Sequence, residues 1–312
     1  MLHGRSTVEA QKQDESVVFL EREQKTAPSS LHGISFATRD EGMMSVTSTR
    51  GFGSTHTGQR RGNEDWFMLD RSLGLYIVAD GLGGRAGGEV ASRLTAEVVH
   101  GFFKLAGSDS DLGFDAESSA GRSLAEARMD MACRLAHREV RRRQVGSLEG
   151  MGSTLAAMLI RHGRALIGHV GDSRVYRLRG DEIKQLTVDH SFHAEMVAAG
   201  VVDITERGRA RYGNMITRAV GMPGAFRADI KSDTVEEGDR YLLCSDGLHD
   251  VVDDQTMMTI MSELPPVQAA PLLVATALSS GARDNVTAVV VEVSASDDAR
   301  IVNGQGPETP SN

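Results

Sequence analysis

One pattern recurs along this chain and limits what it can become: a short apolar run, suited to a buried strand, stops on an aspartate. Tyr76-Ile77-Val78-Ala79 runs into Asp80-Gly81, Leu166-Ile167-Gly168-His169-Val170-Gly171 into Asp172-Ser173, and Tyr241-Leu242-Leu243-Cys244-Ser245 into Asp246-Gly247. Asp284 stands just ahead of another apolar run, Val286 to Val293, and Asp65, with Glu64 beside it, opens one more at Trp66 to Leu69. Strands of one sheet system carry their ends to common edges, so these carboxylates are expected to meet. Such a cluster repels itself unless something positive lies among its members. A single Asp-Gly is ordinary turn chemistry; the repetition carries the argument.

The donor set says what the positive group would be. Asp and Glu oxygens with a glycine carbonyl suit a hard cation, Mg²⁺ or Mn²⁺. Cys133 and Cys244 are the only cysteines. One lies in a helical pattern and one in an apolar strand, so both read as small buried hydrophobes, and neither a disulfide framework nor a thiolate zinc site is expected. His190 and His193 have no third soft ligand near them in sequence and read as structural or surface residues.

The chain has 312 residues, 40% of them hydrophobic but only 4% aromatic, so aliphatic side chains must fill the core. A formal net charge of -9 argues against general nucleic-acid binding. No apolar run approaches a membrane span, and no signal peptide is evident. A soluble, cytoplasmic protein without a membrane partner is expected. Residues 1–50 are polar and read as a disordered extension, residues 51–295 as the folded domain, and residues 296–312 as a disordered tail.

Periodicity predicts strands at Trp66–Leu69, Leu75–Ala79, Thr154–Ile160, Ala165–Val170, Val175–Leu178, Glu182–Leu186, Arg240–Cys244 and Val286–Val293. It predicts helices at Val90–Leu105, Leu124–Arg143, His193–Ala199, Thr256–Met261 and Val267–Ser279. On the first helix the row Val90, Leu94, Val98 and Phe102 is expected to face the core. On the second, Ala127, Met131 and Leu135 form one row and Ala132, Ala136 and Val140 form its neighbour. Arg138, Arg141, Arg142 and Arg143 at its end read as a solvated terminus complementing the helix dipole.

These motifs, taken together and in order, resemble the metal-dependent PPM family, the type 2C protein serine/threonine phosphatases, in its bacterial form. The resemblance is carried by Arg60-Arg61-Gly62-Asn63-Glu64-Asp65, Val78 to Gly84 with Ala86 to Glu89, and Gly150 to Thr154. It continues through Gly168 to Arg174, Thr187 to Ser191, Ile216 to Gly221, Leu242 to Leu248 and Asp284 to Thr287. It implies an α+β fold, a four-layer α-β-β-α sandwich in which two antiparallel sheets are flanked by helices. It also implies a centre of two Mg²⁺ or Mn²⁺ ions, with a place for a third.

By motif, Asp80 would bridge the two ions and the Gly81 carbonyl would ligate one of them. Asp246 and Asp284 would hold the other ion, Asp65 and Glu64 would act beside them, and Asp172 would help hold the third. Arg60 would bind the substrate phosphate, with Arg61 as the weaker candidate. Arg85 stands where the bacterial pattern has histidine, and is expected to contact phosphate or an acidic substrate segment. The implied reaction is hydrolysis of phosphoserine or phosphothreonine in proteins by a hydroxide bridging the metals, opposing a Ser/Thr kinase, by a monomer. The implied flap, Thr187 to Ala219, is made basic by Arg207, Arg209, Arg211 and Arg218. The competing readings are a non-catalytic phosphatase-like regulator that binds phosphoproteins, a phosphatase for small esters, and a phosphatase acting on an anti-sigma antagonist.

Overall fold

The computed structural model describes residues 16–17, 47–83, 87–106, 123–201 and 215–295. The first sheet is built from β1 (Ser16–Val17), β2 (Thr47–His56), β8 (Arg174–Arg179), β9 (Glu182–Gln185), β11 (Arg240–Cys244) and β12 (Val286–Ala295), in the order β1-β2-β12-β11-β8-β9. The second uses β3 (Asp65–Asp70), β4 (Leu75–Leu82), β6 (Leu155–Arg161), β7 (Arg164–Val170) and β10 (Asp229–Thr234), in the order β10-β7-β6-β4-β3, with β5 (Gly152–Ser153) paired to the end of β4. Every strand pairing is antiparallel.

Strand alternation sorts the side chains into three apolar layers. Tyr76 and Val78 of β4, Met158 and Ile160 of β6, and Val289 and Val291 of β12 meet between the two sheets. Their alternates go outward. Leu75, Ile77, Leu155 and Leu159 pack under α1 (Gly87–Ala106) and α2 (Leu124–Arg142). Leu242, Cys244, Val286, Ala288 and Val290 pack under α5 (Asp254–Glu263) and α6 (Pro266–Ser279). Sheets buried on both faces explain why the strands read as continuous apolar runs. The result is the four-layer α-β-β-α sandwich.

Several expectations are corrected. β2 begins at Thr47, inside the stretch read as an extension, and pairs with β12 along its whole length, Thr47 opposite Ala295 and His56 opposite Val286. Its small polar residues hid it. β10 was not expected because an edge strand reading Asp-Ile-Lys-Ser-Asp-Thr carries no apolar alternation. On α1 the fully buried row is Ala91, Thr95, Val99 and Phe103, one residue along from the expected row, of which only Leu94 is buried; Val90, Val98 and Phe102 flank it. On α2 the row Ala132, Ala136 and Val140 is buried, whereas Met131 of the neighbouring row is 49% exposed. Ser123 caps α2 through a reciprocal pair with Glu126. Arg142 and Arg143 bond Glu139 on the surface, in keeping with a solvated terminus. Arg85, Arg207, Arg209 and Arg211 lie outside the described residues.

Candidate metal centre

The ends of β3, β4, β7, β11 and β12 deliver the carboxylates. Asp65 and Asp80 are directly opposed across the β3–β4 ladder. β4 does not stop at Asp80 as its sequence suggests. It continues through Gly81 and Leu82, which pair with Ser153 and Gly152. This places Asp80 inside a regular strand, with its N–H donating to Thr154 Oγ1 at 2.8 Å and its carbonyl accepting from Thr154 N. Gly81 admits no side chain: a Cβ there would lie 2.2 Å from the Gly88 carbonyl oxygen.

Asp172 follows β7 in the β7–β8 turn. Asp246 opens α4 (Asp246–His249), a single helical turn after β11. Asp284 stands two positions ahead of β12, with Asn285 between, and the Asn285 amide fixes its surroundings. Asn285 accepts from Glu64 N and donates to the Thr57 and Gly62 carbonyls. Gly58, at φ +61, approaches so closely that a Cβ would meet the Asp284 carbonyl oxygen at 2.0 Å. The loop carrying Arg60 is thus laid against the Asp284 segment.

The charges are in mutual reach. Burial, and then the charges of Asp65, Asp246, Asp172 and Asp284, hold Asp80 well above the usual carboxylate range. Burial, and then Asp172, Asp284, Asp250 and Asp65, do the same for Asp246. Asp65 is pushed up to about 6, mainly by burial, against the stabilising hydroxyls of Thr287 and Ser245. These donate to its Oδ2 at 2.6 and 2.7 Å. Asp172 is likewise pushed up to about 6 by burial. Burial also raises Glu64, opposed by Arg60. Arg60 itself donates to Asp284 Oδ2 at 2.6 Å, with 60% of its side chain exposed.

Among the described residues, no trio of His, Cys, Asp or Glu stands preassembled to hold a metal ion. The fit to a divalent cation is therefore judged on donor chemistry. Asp65 Oδ1, Asp172 Oδ1 and Asp246 Oδ1 are buried with no hydrogen-bond partner. Buried carboxylate oxygens normally have partners, and three orphans among self-repelling acids suit hard oxygen-seeking cations. The residues fit. Arg61 is exposed. His190 is buried and bonded to the backbone, as expected for a structural residue.

Sequence reading missed the supporting groups: Thr154, Ser245, Thr287, Asn285 and His249. Most of them adjoin a carboxylate or lie in the same motif, which was the available signal. Their partners lie far off in sequence, so their contacts could not be read from it.

The family model for protein phosphatase 2C matches residues 52–278. The chain is 36% identical over 235 residues to the serine/threonine protein phosphatase PstP of Mycobacterium tuberculosis, covering 75% of this chain and 43% of that protein. It therefore spans less than half of that relative. It is 30% identical over 251 residues to the protein phosphatase PhpP of Streptococcus pneumoniae, covering 78% of this chain and 97% of that one. The solved PstP catalytic domain in complex with two manganese ions superposes with a TM-score of 0.68 at 32% identity, covering 80% of this chain and 99% of that one. With fold, carboxylate cluster and family match in agreement, the chain belongs to the protein phosphatase 2C family.

Proposed function

We propose that this chain is a metal-dependent protein serine/threonine phosphatase. The observation that carries this reading is the set of orphaned carboxylate oxygens on Asp65, Asp172 and Asp246, within a protein phosphatase 2C fold. Asp80, the Gly81 carbonyl, Asp246 and Asp284 would hold two divalent ions, Mg²⁺ or Mn²⁺. Asp65 and Glu64 would stand beside them and Asp172 toward a third. Manganese in the PstP catalytic domain supports this choice. Bound ions would supply Lewis acidity toward water and toward phosphoryl oxygens.

The chain's own residues do the rest. Ser245 and Thr287 keep Asp65 fixed as an acceptor. Thr154 fixes the backbone of Asp80. Arg60, paired with Asp284 and with 60% of its side chain exposed, would offer its planar guanidinium to the substrate phosphate. Arg85, by its place in the Asp80 to Glu89 motif, would contact phosphate or acidic residues of the substrate. The substrates are phosphoserine and phosphothreonine proteins, in keeping with the names of the relatives, and the opposing partner is a Ser/Thr kinase. The phosphatase domain is assigned from Thr47, where β2 begins, to residue 295. We place it in the cytoplasm as a monomer. Among the described residues no helix is long and apolar enough to cross a membrane.

Hydrolysis of a phosphothreonine peptide with Mn²⁺, with chelator, and with Asp246→Asn tests the reading. Phosphate release is expected with Mn²⁺ and is expected to vanish with chelator or with the substitution. Release that survives both rejects a metal-dependent reaction at these carboxylates.

A further inference from the structure

Three consecutive residues of the β7–β8 turn are each gripped through the backbone by a different buried histidine. The Gly171 N–H donates to His190 Nδ1 at 3.1 Å, the Asp172 carbonyl accepts from His249 Nε2 at 2.9 Å, and the Ser173 carbonyl accepts from His169 Nε2 at 2.8 Å. The histidines come from separate elements: His169 from β7, His190 from the segment ahead of α3 (Phe192–Ala198), and His249 from α4. All are nearly sealed from solvent, at 2%, 1% and 6% exposure, and the His169 and His190 rings lie 4.7 Å apart.

The partners dictate the proton positions. A carbonyl only accepts, so His169 and His249 carry a proton on Nε2. An amide N–H only donates, so His190 offers a lone pair at Nδ1. The side chain this turn presents is Asp172, buried with Oδ1 unpartnered. Ser173 Oγ lies 2.7 Å from Thr154 Oγ1, the hydroxyl that holds Asp80 N, so the turn is tied to Asp80 as well. His249 has a particular place in this arrangement. It closes the single helical turn that Asp246 opens, so one short element carries both the Asp246 carboxylate and the grip on Asp172.

We propose that His249 is a positioning residue, acting with His169 and His190 on the backbone of Gly171 to Ser173. It holds the Asp172 carboxylate toward Asp246 and thereby sets how tightly a divalent cation is held at Asp172. The inference rests on the reading of Asp172 as a carboxylate of the metal centre. The imidazoles act on the backbone and not as ligands.

Calorimetric titration of the full chain with Mn²⁺ alone tests it. His249→Leu is expected to weaken the weakest Mn²⁺ step by about tenfold, as loss of outer-shell partners does, while the tighter steps stay within about twofold. His249→Gln, whose amide N–H reaches the place of Nε2–H, is expected to restore that step to within about threefold of the parent. His249→Asn, a methylene shorter, is not. If the leucine variant does not fold, the glutamine–asparagine comparison carries the test. Three variants that all bind as the parent does overturn the inference. So does equal weakening of every step in leucine and glutamine variants alike, which marks general loss of packing. Asp172→Asn separates the two claims. If it changes no Mn²⁺ step, the reading of Asp172 falls and the inference with it. If it weakens the step while His249→Leu does not, the inference alone falls.

Discussion

Asp80 sits under opposing demands. Its backbone is locked in a regular strand by Thr154 and by its place opposite Asp65. Its side chain meets the negative charges of Asp65, Asp172, Asp246 and Asp284. A carboxylate placed there costs folding stability until a cation joins it. Asp80→Asn is therefore expected to raise the melting temperature in chelator, by roughly 2–4 °C for each kcal/mol of repulsion relieved. It is also expected to remove the further rise that Mn²⁺ gives the parent. Thermal melts with and without Mn²⁺ check both halves, and a substitution that lowers stability in chelator would contradict the electrostatic account. The identities of the carboxylates were legible in the sequence because each ends or opens an apolar run. Their supports were not. Thr287 and Ser245 bond Asp65 across more than a hundred residues of chain, and nothing local marks a hydroxyl for that task.

Helix α1 shows how far periodicity reaches. A period of 3.6 says that a face is apolar, but neighbouring rows of one face are only about 100° apart. Which row is fully buried depends on what lies on either side. Here β4 lies beneath and α2 alongside, and Phe103 is 2% exposed while Phe102 stays half-buried at the edge, their rings 5.4 Å apart and edge-to-face. Phe103→Ala is expected to cost about 3–5 kcal/mol and Phe102→Ala less than half of that, measured by denaturant unfolding. Equal costs would show that both rings belong to the core. The same limit hid β10, whose polar edge sequence has no period to detect, and β2, whose glycines pack under the rings of Tyr76 and Phe67. Strands covered on both faces were easy to see, because their apolar runs are continuous.

Across the whole molecule, stability should depend on pH through groups that pull in opposite directions. Burial, and then the neighbouring His190, press His169 down to about 4, against the raising influence of Asp189, the Ser173 carbonyl and Asp229. The unfolded imidazole titrates near 6.5, so below that pH the unfolded chain binds the extra proton and the folded one does not. The contribution of His169 is present above about pH 6.5 and is lost as pH falls toward about 4, on the order of 3 kcal/mol in all. In chelator, Asp65 and Asp172, both pushed up to about 6, act in the other sense: their contribution is present at low pH and is lost as pH rises through about 6. The net slope mixes these effects, so the measurement is the difference between parent and His169→Gln. That difference is expected to shrink as pH falls from 7 to 4. A constant difference would mean that His169 does not titrate in this window.

The sequence by itself determined the chemistry: which carboxylates exist, that they border strands, and that the strands are buried on both faces. Side-chain alternation and apolar runs are local properties, written over a few residues. Only the tertiary structure decided that Asp65 lies opposite Asp80, that Arg60 rests on Asp284, and that three histidines from three elements close on one turn. Those relations depend on strand register and layer stacking between segments far apart in the chain. They are settled by packing the whole sandwich and by no short stretch of it.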